Sequence, residues 1–126
     1  MYWVELSDYD LETAEAMLEK ARYLYVGFMC HQTVEKMLKA FFVKARHATP
    51  PYTHNLAYLA KRADLIDVLS EGQRDALDVL DPLHIEARYP SQKEQVLNSL
   101  TQERCRQILE MTRELQGWIK AKLSAS

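Results

Sequence analysis

Residues 26–46 read VGFMCHQTVEKMLKAFFVKAR, and this stretch decides the fold. Val26, Cys30, Val34, Met37, Phe41 and Ala45 recur at steps of three and four, the period of one helical face, and Met29, Leu38 and Phe42 widen the stripe. Opposite them lie His31, Gln32, Glu35, Lys36 and Lys39, so one long amphipathic helix is expected. Ala48-Thr-Pro-Pro-Tyr52 stops it, because paired prolines remove backbone donors and push the preceding residue out of helical geometry.

Outward from there the chain stays helical. Towards the N-terminus, Leu11, Ala14, Leu18, Ala21 and Tyr25 mark a helix from about Asp8 to Tyr25, with Ser7 as its N-cap. Towards the C-terminus, Thr53 is placed as the cap of a short helix with Leu56, Leu59, Ala60 and Ala63 inward. Ser70-Glu-Gly-Gln73 has the capping-box pattern and opens a helix with Ala76, Leu77 and Leu80 inward. Asp81-Pro82 predicts a kink, after which that helix continues through Leu83, Ile85 and Ala87 to Arg88 and ends at Tyr89-Pro90. Residues 91–100 are expected to be a connection. Thr101 then caps a last helix carrying Cys105, Ile108, Thr112, Leu115, Ile119 and Leu123, and the tail Ser124–Ser126 is expected to fray. Nothing reads as a strand pair; the fold class is all-α, with four substantial helices in a bundle.

A chain of 126 residues with 48% hydrophobic and 27% charged residues fits one domain, expected to span 1–126, and can bury a core without disulfides. Three glycines are too few for a phosphate loop or dinucleotide fingerprint. Cys30 and Cys105 match no metal or redox spacing and read as packing residues of a reducing compartment. With no signal-peptide pattern and no apolar run near the roughly 18 residues a span requires, a soluble cytoplasmic protein with no membrane role is expected. The four histidines lack zinc-finger and metalloprotease spacing, so neither a metal site nor a cofactor is expected.

The net charge of −2 hides blocks. Lys20 to Arg62 holds eight Lys/Arg against Glu35 alone, whereas residues 1–19 carry six acids and no Lys/Arg, and 63–86 seven acids against Arg74. The blocks either neutralise one another within the fold or across a dimer, or leave a surface for nucleotide or RNA phosphates.

Three places can carry chemistry. His31, Glu35 and Lys39 share one helical face and could hold a phosphate or shuttle a proton, the plainer reading being an exposed ridge of ion pairs. His54 opens the third helix, where it suits an anion or ties down the loop. His84 and Arg88, at i and i+4 with Tyr89 beside them, suit phosphate binding or RNA cleavage, or Arg88 only satisfies carbonyls at a helix end.

Three segments, Cys30–Phe42 (CHQTVEKMLKAFF), Thr53–Leu56 (THNL) and Ala87–Pro90 (ARYP), are together similar to the prokaryotic HEPN domain (higher eukaryotes and prokaryotes nucleotide-binding), in order and over nearly the whole chain. The resemblance implies an up-and-down four-helix bundle with a short additional helix, a homodimer, and a small nucleotidyltransferase as partner in a toxin–antitoxin or stress-response system. Many members of the wider family are metal-independent ribonucleases marked by an Arg, four to six residues, then a His. Here no histidine follows Arg88 and no other pair has that spacing, so the activity does not carry over. What carries over is Arg88 and Tyr89 as counterparts of a site, with His54, His31, Lys36 and Lys39 as further phosphate-binding candidates. A nucleotide- or RNA-phosphate-binding module is therefore expected. The alternatives are a divergent ribonuclease using His84 and Arg88, with Tyr89 beside them, and a purely structural interaction module.

Overall fold

The computed structural model describes residues 1–84 and 90–125, residues 90–92 by their backbone only. The described residues form six α-helices and a 3-10 turn, with no strand: α1 (Tyr2–Glu19), α2 (Tyr23–Arg46), α3 (Leu56–Arg62), α4 (Glu71–Leu80), the 3-10 turn (Asp81–Leu83), α5 (Pro90–Ser99) and α6 (Gln102–Ser124). The all-helical expectation holds. Central α2 packs on α1 along one side and on α6 along another, and α3 lies across its C-terminal half. The stripe seen in the sequence is the core: Val26, Cys30, Val34, Met37, Leu38 and Phe42 are buried with Ala14, Leu59, Leu80, Ile108, Leu115 and Ile119.

Several boundaries differ from the sequence reading. α1 begins at Tyr2, and Ser7 is not its cap but a buried residue inside it. The Ser7 hydroxyl donates to the Thr33 carbonyl (2.8 Å) and accepts from Gln116 Nε2 (3.1 Å), tying α1, α2 and α6 together. A cap-like serine before acidic residues is also a residue small enough to let two helices meet, and tertiary packing decided between them. α1 stops at Glu19 because Ala21 takes a left-handed conformation (φ 57°), so Ala21 and Tyr25 are exposed and leave the predicted apolar face. The cap of α3 is Asn55, whose side chain accepts from the Tyr58 N–H, rather than Thr53. The Ser70 capping box and the Thr101 cap form as expected.

The largest differences follow Leu80. Pro82 lacks an N–H, and its ring conflicts with a continuing α-helix. The chain tightens into the 3-10 turn and leaves helical geometry at His84 (φ −75°, ψ 86°), so the fourth helix does not run on from Leu83. His84 itself is therefore outside helical geometry, and Arg88, expected to share a helical face with it, lies outside the described residues. Residues 91–100, expected as a connection, lie largely in α5, with Pro90 at the helix start, where a missing N–H costs nothing.

Part of each charge block is neutralised internally. Acids of α1 meet bases of α2 and α6: Asp10 with Lys36 (2.8 Å), Glu15 with Arg113 (3.3 Å) and Asp8 with Lys120 (2.6 Å), while Arg46 pairs with Asp64 (2.9 Å). Lys44 caps the far end by donating to the Leu123 carbonyl.

Two glycines differ in what they do. At Gly27 a Cβ would lie 3.3 Å from Leu100 and 3.4–3.5 Å from Leu83, so Leu100 in particular packs closely on α2 one helical turn before His31. Gly117, exposed in the middle of α6, would meet nothing within 4 Å. Gly117→Ala is therefore expected to stabilise the protein by about 0.5–1 kcal/mol through helix propensity alone. A higher urea midpoint with an unchanged slope checks this; an unchanged or lower midpoint contradicts it.

Candidate functional site

The ridge expected on the open face of α2 is buried. His31 is fully enclosed, Glu35 is 2% exposed and Lys39 7% exposed, because three segments fold over them. The loop after the two prolines brings His54 to α2, the 3-10 turn delivers His84, and Trp3 of α1 lies beneath Lys39. The exposed ion-pair ridge expected from periodicity is thus replaced by an enclosed polar cluster.

Glu35 stands at its centre with its two oxygens divided. Oε1 accepts from His54 Nδ1 at 2.8 Å and lies 3.8 Å from His31 Nδ1, while Oε2 accepts from Lys39 Nζ at 3.1 Å. The Lys39 ammonium also sits 5.4 Å from the Trp3 ring centroid, a cation–π distance. His31 Nε2 donates to the His54 backbone carbonyl (3.0 Å), which fixes its tautomer because a carbonyl can only accept. The rings of His54 and His84 stack at 3.8 Å and 21°, and His84 also lies against His31 (5.0 Å) and Phe28 (5.5 Å). One further bond joins the two loops that bring the histidines in: the Leu56 N–H donates to Asp81 Oδ1 (3.3 Å).

Burial sets the charges. Enclosure pushes His31 down to about 4, the opposing pull of Glu35 being weaker, so His31 is neutral at pH 7. Burial drives Glu35 upward, but the His54 hydrogen bond and the Lys39 ammonium together outweigh it and hold the carboxyl below its ordinary value. The cluster thus keeps an ionised carboxylate between a cation and neutral imidazole. The thiols contribute no nucleophile, since burial pushes Cys30 up to about 12 and Cys105 to about 11.

Of the residues singled out in the sequence, His31, Lys39, His54 and His84 come together here. Lys36 does not: it points to Asp10 on the α1 side. Arg88 and Tyr89 lie outside the described residues. His84 is buried (5% exposed) rather than presented at a helix end, and His54, 41% exposed in its side chain, is the cluster's opening to solvent. Glu35, which organises the site, was visible in the sequence only as one member of a polar ridge; Trp3 and Phe28 gave no signal, because only the fold brings them near.

A roomy concavity lies elsewhere, an open groove of about 730 Å³ between α4 and α6. Its lining includes Glu103, Glu110 and Glu114 against Arg106 and has neither buried titratable groups nor histidine. Three carboxylates repel phosphate, so size alone does not mark it as the site.

Comparison with known proteins agrees with this architecture. The fold is similar to that of TT1696 from Thermus thermophilus, whose crystal structure superposes with a TM-score of 0.78 at 24% identity, covering 95% of this chain and 94% of that one. Among curated proteins, none matches. The model of the HEPN domain matches residues 1–122, nearly end to end. The chain belongs to the HEPN domain family.

Proposed function

We propose that this chain is a nucleotide- or RNA-phosphate-binding module that does not itself cleave RNA. What supports it is His54: a half-open imidazole whose Nδ1 is held by a buried carboxylate, leaving its other nitrogen as the polar group at the mouth of the cluster. With Nδ1–H committed to the carboxylate, an imidazole of this kind donates Nε2–H to a phosphate oxygen as the imidazolium. Arg88 and Tyr89, four and five positions after His84 in the chain, are proposed to complete the contact. Lys36 is left out of the site, since Asp10 already occupies it. A ribonuclease using His84 and Arg88 is disfavoured: His84 is buried and itself outside helical geometry, so it is not presented to solvent on a helix face. From family membership the proposal includes a homodimer and a small nucleotidyltransferase as protein partner in a toxin–antitoxin or stress-response system.

Titration of ATP and of a short labelled RNA into the chain at low and rising salt tests this. Binding is expected to weaken as salt rises. His54→Ala and Arg88→Ala are each expected to lower affinity about tenfold, the size of one charge-assisted hydrogen bond, whereas Lys36→Ala leaves it unchanged. No binding at low salt would leave the chain a structural interaction module. RNA cleavage in EDTA by pure protein, lost in Arg88→Ala, would make it a ribonuclease instead.

A further inference from the structure

We propose that Glu35, His54 and His84 form a binding site for a divalent transition-metal ion of the zinc class. These residues lie 19 and 30 positions apart in sequence, so no linear spacing announces them; the fold alone assembles the set. One ligand atom from each, a carboxylate oxygen and two imidazole nitrogens, lies within 4.8 Å of the other two. Zinc bonds of about 2.0–2.2 Å place tetrahedral ligand atoms about 3.3 Å apart, so binding an ion requires the stacked His54 and His84 rings to turn until their nitrogen lone pairs converge with the Glu35 carboxylate.

The surroundings favour a rigid site. Glu35 projects from the middle of the longest helix. The His54 segment is pinned on both sides, by His31 Nε2 on the His54 carbonyl and by the Leu56 N–H on Asp81, the residue that starts the 3-10 turn leading to His84. Fixing of this kind, one shell away from the ligands, is what orients metal-binding imidazoles. Lys39 occupies the far carboxylate oxygen, Oε2, so Oε1 is the one turned towards the histidines. Glu35 and His84 are buried while His54 is half open, which gives an entry route from solvent. Two imidazoles with one carboxylate suit zinc and its first-row neighbours and not magnesium, which takes oxygen ligands. The inference goes beyond phosphate binding and does not depend on it.

The test is calorimetric titration of ZnCl2 into chelator-stripped chain, with no nucleotide present, alongside the absorption spectrum of the Co²⁺ form. One ion per chain is expected, with d–d bands of a nitrogen- and oxygen-ligated site and no response to MgCl2. His54→Ala, the most exposed ligand and the variant least able to disturb folding, is expected to weaken zinc at least tenfold, as is Glu35→Gln, with circular dichroism confirming the helices. His47→Ala, at the exposed end of α2, leaves affinity unchanged. Absence of saturable binding, full affinity in His54→Ala, equal loss in His47→Ala, or a thiolate charge-transfer band implicating Cys30 or Cys105 would each overturn the assignment.

Discussion

Glu35→Ala is expected to cost about 3 kcal/mol of folding stability, more than any other single change to the polar cluster. The carboxylate is 2% exposed and serves two partners, Lys39 Nζ on one oxygen and His54 Nδ1 on the other. Removing it strands an ammonium whose side chain is only 9% exposed, with the Trp3 ring as its remaining charge-sensitive contact. Breaking a buried pair from one side costs about 3–5 kcal/mol, because the orphaned charge has lost its solvent and its counter-ion together. Replacing both partners removes that penalty. The double variant Glu35→Met with Lys39→Met is therefore expected to be more stable than Glu35→Ala, despite carrying two substitutions. Urea unfolding of the wild type, the single variant and the double variant measures both effects. A loss below about 1 kcal/mol in Glu35→Ala would mean that water reaches the carboxylate and that the cluster is not enclosed as described.

How much of this was legible beforehand depends on the range of the interaction. The Ser70 box and the Thr101 cap are set by residues within four positions of one another and stand as read; the α2 stripe does so up to Phe42, except that Phe41 is only partly buried, and Ala45 at the helix end is exposed. Ser7 and Pro90 failed for one reason: each side-chain type has two common uses, cap or packing residue and helix stop or helix start. The choice between them is made by distant partners, as with Ser7 on Thr33 and Gln116. The site shows the same division. Periodicity placed His31, Glu35 and Lys39 on one face correctly, yet could not see that the His54 loop, the 3-10 turn and Trp3 would cover it. A ridge of two charges and an imidazole reads as solvated unless something distant encloses it.

Enclosure has a second measurable consequence, a loss of stability in mild acid. His31 titrates at about 4 in the native protein and at 6.5 when unfolded. Between those values the unfolded chain binds the proton and the folded chain does not, so the unfolded state gains as pH falls. The stability that depends on neutral His31 is thus complete above about pH 6.5 and drains away towards pH 4. A difference of about two and a half pH units at about 1.4 kcal/mol each sets its size at roughly 3–4 kcal/mol. Glu35 acts in the same direction lower down: its carboxyl is held below 4.5, so its contribution is present above that value and is lost as pH falls through the native one. The groups facing His31 are Glu35, Gln32, His84 and the His54 carbonyl, with Asp81 further out, and burial outweighs the two carboxylates among them. Urea unfolding from about pH 7.5 to 4.5 in the presence of chelator should therefore show stability falling steeply with acid. His31→Gln keeps an N–H donor for the His54 carbonyl but has no proton to gain. Its curve should be flatter by about one proton's worth over this range. Parallel curves would show that the His31 imidazole reaches water in the native state, and the enclosed cluster would have to be abandoned.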